Sequence, residues 1–273
     1  MKNLAFQKIG KILFSLVSIF LLILWGGGLQ SDTYQSTQEQ EYEIEKAKIF
    51  RDIYPLISES DLYCSFFVLD EEGPDIKIIG AEREYERVQF NDGDIVYIDK
   101  GREDGLEVGQ VFLVLDIGSR IKDFGPLVYK RGRVRVVALE ENGASAKVEK
   151  SCGQVMLGHF LVPFEEKEGR MGKDLGYNIP PHEGEGLIGQ IIYLQREFKQ
   201  IGSGHWALID LGENDGIQIG QQLVTYRKIK EGVPLQIFGN MVVIDAQKRT
   251  STIKVLSCKD ALRIDDLVKT RTN

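Results

Sequence analysis

The chain has 273 residues, 42% hydrophobic and 27% charged, which supplies a core for one large or two modest domains and excludes wholesale disorder. Its formal net charge is −7, and an acidic chain repels phosphate backbones, so nucleic acid is not expected as a partner.

The first element is an export signal over residues 1–28. Lys2, Lys8 and Lys11 form a positive start without acids, Ile12 to Trp25 is apolar but for Ser15 and Ser18, and Gly26-Gly27-Gly28 offers small residues for cleavage. As a helix, Ile12–Trp25 rises about 21 Å, short of the roughly 30 Å hydrocarbon core. An uncleaved membrane anchor, extended through Gly26 to Leu29, is the alternative, and only then does the chain touch a membrane. No cysteine follows the apolar run, which argues against a lipid anchor. Cleavage removes three lysines and no acid, giving a mature charge of −7 − 3 = −10. The expected location is the periplasm or cell envelope.

Residues 29–61 read as a spacer. Within it "STQEQEYEIEKAKIFRDI" (Ser36 to Ile53) suits a short helix, capped by Ser36 or Thr37, with acids early and bases late. From Leu62 the pattern turns to strands. "YCSFFVLD" and "DIKIIGAE" flank the turn-forming "EEGP" and predict a hairpin. "DIVYID", "QVFLVLD", "GRVRVVALE" and "SAKVEKS" follow, the last two joined by "ENG", whose Asn-Gly is a strong hairpin signal. These make a first β module over residues 62–164. The charged, glycine- and proline-containing run up to Gly186 reads as a linker, 165–186, before a second module over 187–273.

The second module repeats the first. Gly101, Asp104, Gly105, Gly109 and Gln110 recur at Gly212, Asp215, Gly216, Gly220 and Gln221, a constant offset of 111 residues. "GRVRVVALEENGASAKVEKS" matches "GNMVVIDAQKRTSTIKVLS" at an offset of 107. Upstream, Ile78 to Gly101 aligns with Leu187 to Gly212, given two extra residues in the second copy. The glycines are expected at turns that need positive φ, with Asp104 and Asp215 bonding back to nearby N–H groups. Leu106 and Val108, like Ile217 and Ile219, are two apart, so each pair is expected to face one side and plug a barrel end.

The chemistry-bearing residues are sparse. His159, His182 and His205 form no close ligand pair for zinc, "ENDG" lacks the alternating ligands of a calcium loop, and "GSGH" lacks the helix of a phosphate loop. No metal, cofactor or catalytic residue is expected, and an enzyme is not. Cys64, Cys152 and Cys258 are too widely spaced for a CxxC site and are expected to be small buried apolar residues. One disulfide with a thiol left over is the alternative. "SCG" (Ser151 to Gly153) roughly matches "SCK" (Ser257 to Lys259), which suggests a repeated structural position. Trp206 with His205, Tyr193 and Tyr226 is the candidate stacking platform for a sugar.

"SDLYCSFFVLDEEGPDIKIIGAE" (Ser60 to Glu82) and "DIVYIDKGREDGLEVGQVF" resemble the region after a LysM domain in exported bacterial peptidoglycan-binding proteins. The "DKGREDGLEVGQVF" and "DLGENDGIQIGQQL" cores are similar to the C-terminal domain of the flagellar assembly protein FlgT. No LysM-type opening precedes Leu62, so glycan affinity is not carried over. The resemblance implies paired small β modules, an envelope location and a non-catalytic role.

The expected fold is mostly β, two tandem small antiparallel barrel-like modules of five or six strands each, since closure removes sheet edges. The expected function is a non-enzymatic, exported cell-envelope binding or assembly module acting through protein contacts. Peptidoglycan or polysaccharide binding is one alternative, and a membrane-anchored envelope scaffold resembling MreC is another.

Overall fold

A computed structural model describes residues 53–70, 73–177, 186–227 and 236–271. The expected signal segment, and the helix of Ser36–Ile53 but for Ile53, lie outside the described residues; so does His182. Among the described residues no helix is long and apolar enough to cross a membrane. Residues 49–273 form one compact unit.

The chain is mostly β. It opens with β1 (Tyr54–Ile57), the one-turn helix α1 (Glu59–Tyr63) and β2 (Phe66–Val68). α1 is set by a capping box, in which Ser58 accepts from the Asp61 N–H and Asp61 accepts from the Ser58 N–H. The first module then runs β3 (Ile76–Ala81), β4 (Ile95–Ile98), β5 (Val111–Ile121), β6 (Gly125–Leu139), β7 (Ala144–Ser151) and β8 (Phe160–Pro163). β9 (Arg170–Gly172) lies within the expected linker and pairs with β1. The second module runs β10 (Ile188–Leu194), β11 (Trp206–Ile209), β12 (Gln222–Arg227), β13 (Gln236–Ala246), β14 (Ser251–Cys258) and β15 (Leu267–Thr270).

Each module closes into a six-stranded antiparallel barrel, and the ring orders are the same. The first is β3-β4-β7-β6-β5-β8, closed by β8 on β3, and the second is β10-β11-β14-β13-β12-β15, closed by β15 on β10. Register repeats as well as order. Ile98 faces Ala144 as Ile209 faces Ser251, and Val136 faces Ala146 as Val243 faces Ile253. Bulges recur at the same places, at Ile79 and Ile192 and at Val137 and Ile244. The internal duplication is thus a duplication of topology.

The expected alignment of the first strands needs correction. Ile78 pairs with Ile98 as Ile191 pairs with Ile209, so β3 and β10 correspond at an offset of 113 residues. The second copy is two residues shorter between these positions, not two longer. Gly and charged residues surround both strands, so composition matched the wrong register.

The predicted hairpin of residues 63–82 is also corrected. β2 does not pair with β3; it adds to the outside of β6, and β3 enters the ring between β8 and β4. The Asn-Gly hairpin forms as expected between β6 and β7. β5 and β6 run past the ring as a two-stranded ribbon through Ile121 and Gly125.

Inward-facing side chains fill each barrel. Ile78, Ile98, Phe112, Val136 and Ala146 fill the first, and their equivalents Ile191, Ile209, Leu223, Val243 and Ile253 fill the second. Phe112 with Ala146 becomes Leu223 with Ile253, so one large and one small side chain give way to two of middle size.

Candidate functional site

The repeated glycine turns come first. Each holds a short 3-10 turn, Arg102–Asp104 or Glu213–Asp215. Asp104 accepts from the Gly101 N–H at 2.9 Å, and Asp215 accepts from the Gly212 N–H at 2.9 Å. Gly105 and Gly216 have φ of 84° and 81°, and Gly109 and Gly220 have 91° and 89°, the left-handed region expected. Gly101 and Gly212 are different: their φ values are −136° and −135°. Glycine is needed there for space. A Cβ on Gly101 would sit 2.4 Å from the Gly143 N, and one on Gly212 would sit 2.4 Å from the Gln247 O.

The expected plug is half right. Leu106 and Ile217 are buried in the two cores, but Val108 is 64% exposed, and Ile219 packs outside its barrel beside Leu56, Ile57 and Ile244.

The four aromatic and imidazole residues do not make one exposed platform. Tyr193 and Tyr226 are buried. Tyr226 lies on β12, opposite β11 in the ring and away from Trp206. Burial raises the pKa of both phenols, and the 2.6 Å contact with the Tyr129 hydroxyl adds to the rise at Tyr193. Half-buried His205 has Nδ1 3.2 Å from the Gly202 O and an edge contact with Phe198. Half-buried Trp206 donates from Nε1 to Asp61 Oδ1 at 2.9 Å and meets Phe66 edge-on.

Those contacts belong to the junction between the barrels, which sequence reasoning missed. The outer wall of the second barrel is apolar and covered. Leu208 and Ile244 are 0% and 1% exposed although they point away from their own core. Leu56, Ile57 and Leu62 cover Ile244, while Phe66, Val68 and Leu127 cover Leu208. Phe124, in the turn of the ribbon, packs there too and is stacked by Arg249.

Polar groups lock this cover. Asp61 accepts from Lys254 Nζ at 2.6 Å as well as from Trp206 and Ser58. Burial pushes its carboxyl upward, but the bonds from Lys254, Ser58 and Trp206 outweigh this and hold the pKa below the ordinary carboxylate value. Lys130, on β6, donates to Asp245 of β13 at 2.6 Å and to the Leu62 O at 2.9 Å, with both charged side chains buried. Thr252 donates to the Phe66 O at 2.6 Å, and the Lys248 N–H to Asp70 at 2.7 Å. A disulfide joins Cys64, just after α1, to Cys152, just after β7. Cys258 is a free thiol. The expectation of three buried thiols is therefore corrected. The repeated position is corrected too, because Cys258 faces Gly239 as Ser151 faces Gly132.

The same wall on the first barrel is open. Ile79, Tyr97 and Val137 occupy the strand positions of Ile192, Leu208 and Ile244, and they are 61%, 40% and 43% exposed. Exposed Lys147 stands where Lys254 stands. A shallow concavity of about 720 Å³ lies beside Tyr97 and Ile79, rimmed by Glu140 and Glu141. At the other end of the wall, Arg135 pairs with Glu149 where the second barrel has Val242 and Leu256.

A third polar group sits inside the first module. His159 is buried, accepts at Nδ1 from the Met156 N–H at 3.2 Å, and lies 3.8 Å from Asp116. Burial lowers its pKa; Asp116 opposes this and Arg131 adds to it. Among the described residues no group of three or more His, Cys, Asp or Glu is placed to hold a metal ion.

Fold and site together define a class: a tandem pair of six-stranded barrels, one with its outer wall covered and one with it open. A scan against protein-family models finds no match for this chain, and a search of curated proteins finds none either.

Proposed function

We propose that this protein is a non-enzymatic, exported binding or assembly module of the cell envelope that acts through protein contacts. The observation that carries the reading is the open wall of the first barrel. The same strand positions in the second barrel form a protein-docking surface within the same molecule. An apolar wall left exposed on a monomer is a feature of interaction sites. The Cys64–Cys152 disulfide supports export, because such bonds persist in oxidising compartments. The resemblance to exported LysM-type and FlgT-like proteins points the same way. The test is photo-crosslinking in cells from a benzophenone residue at Tyr97, with exposed Ile264 on the second module as control. Discrete protein adducts from Tyr97 alone are expected, in the envelope fraction. Adducts from neither site, or equally from both, would sink the reading.

A second reading, binding of acidic polysaccharide or peptidoglycan, has one observation in its favour. Trp206 and Tyr129 line a groove of about 410 Å³ at the junction together with Arg131, Lys150 and Arg196, and no acid lines it. Retention on purified peptidoglycan that falls on Trp206→Ala would favour it.

A further inference from the structure

Resting on the protein-contact reading, we infer that the open wall of the first barrel takes an extended segment of another protein. That segment has an apolar centre, an acidic residue at one end and a basic residue at the other. The second barrel shows how such a wall is read. Its apolar centre, Leu208 and Ile244, is covered by Leu56 and Ile57 of β1, by Leu127 of β6 and by the segment running from α1 through β2. At one end of that segment Asp61 bonds to Lys254, and at the other Asp70 bonds to the Lys248 N–H in the β13–β14 turn.

The first barrel keeps the centre and one end and changes the other. Ile79, Tyr97 and Val137 are apolar and exposed, and Lys147 sits at the place of Lys254, ready for an acid. The turn between β6 and β7 is inverted in charge. Glu140 and Glu141 stand where Gln247 and Lys248 stand in the second barrel, as the backbone bonds of the two turns show: Glu140 O and Glu141 O accept from Arg102 and Glu103, and Gln247 O and Lys248 O accept from Glu213 and Asn214. A segment ending in Asp, like that of the second barrel, meets like charge there, while Lys or Arg meets opposite charge. Beside the two glutamates, the concavity at Tyr97 is the counterpart of the place where Phe124 packs under Arg249. Where the second barrel has Tyr193, the first has Gly80, which leaves the Tyr97 ring uncovered. The inverted turn also argues against a second copy of this chain supplying its own Asp61–Asp70 segment.

The probe is a labelled synthetic peptide with the sequence of residues 58–70, carrying Cys64→Ser and Asp70→Lys, titrated into the full chain by fluorescence anisotropy. Saturable binding is expected. The peptide that keeps Asp70 should bind about fivefold more weakly, the size of one rim charge contact. The protein variant Glu140→Lys/Glu141→Lys should invert that preference, and Tyr97→Asp, which alters an exposed side chain, should abolish binding with an unchanged circular dichroism spectrum. No saturable binding, or a preference that the glutamate variant leaves unmoved, overturns the inference. So does self-association in the ultracentrifuge that Tyr97→Asp abolishes, since the wall then belongs to a second copy. If Tyr97 still crosslinks a protein in cells while no peptide binds, the assembly role stands and the segment chemistry falls; if neither occurs, both fall.

Discussion

The two barrels share ring order, register and bulges, yet they meet their surroundings in opposite ways. In the second barrel, outward Leu208 and Ile244 are as buried as core residues, because the chain before β3 and the β5–β6 ribbon lie across them. In the first, the equivalent Tyr97 and Val137 face solvent. Closure of a barrel satisfies its backbone and fills its inside, but leaves the outer wall free to be polar, covered or used. Duplication copied the closed unit, and the two outer walls then diverged, one covered and one open.

Removing Lys130 breaks the comparison most severely, because the charge pair that joins the barrels is buried. Lys130→Met leaves Asp245 without its cation and should cost about 3–5 kcal/mol in urea unfolding. Lys130→Met/Asp245→Leu should recover most of it, since a buried pair replaced by apolar residues is often neutral. If the single variant unfolds at the wild-type midpoint, the junction is not held by this pair. Next comes the staple that the second barrel lacks. Cys64→Ser/Cys152→Ser opens a loop spanning a sequence separation of 88 residues and should cost about 2–4 kcal/mol, whereas Cys258→Ser should cost less than about 0.5 kcal/mol. A reducing agent that leaves the melting temperature unchanged would contradict this.

Comparable and smaller effects test the turns the barrels share. Gly101→Ala and Gly212→Ala drive a Cβ into backbone and should each cost about 3 kcal/mol, more than Gly105→Ala or Gly216→Ala, where only positive φ opposes the change and about 1–2 kcal/mol is expected. Equal losses in thermal melts would remove the distinction between space and φ.

The mildest test is pH. Asp61, whose folded pKa lies below its unfolded value, gives stability that is complete above the ordinary carboxylate value of about 3.9 and is lost as pH falls through the folded value. His159 is buried neutral with a lowered pKa, so the unfolded chain takes its proton first. Stability therefore drops as pH falls through about 6.5 towards the folded value, and His159→Gln should flatten that limb. An unchanged slope in that variant would assign the limb to another group.

Much of the fold was legible. Five identities at one spacing announced a duplicated unit, and alternating apolar residues announced strands. The Asn-Gly turn set the β6–β7 hairpin, because those features act over a few residues. The failures are equally local in origin. "EEGP" has turn chemistry, but whether the flanking strands pair is decided by β6, which lies some sixty residues on and takes β2. At Gly101 the sequence points to φ and not to space, because it carries no sign of the Glu141 and Gly143 backbone that crowds the residue. Trp206 and Tyr193 looked like ligand aromatics because a strand aromatic facing outward has the same spacing whether its neighbour is solvent or Phe66.

The sequence by itself determined that two like units exist and that each is a closed β structure cornered by glycine, because periodicity and turn chemistry are properties of short segments. Only the tertiary structure decided which outward residues are covered, which cysteines meet, and which charges pair across the junction. Those outcomes depend on groups far apart in the chain: the attraction of Lys130 for Asp245 or of Asp61 for Lys254 exists only once the barrels have closed and been brought together.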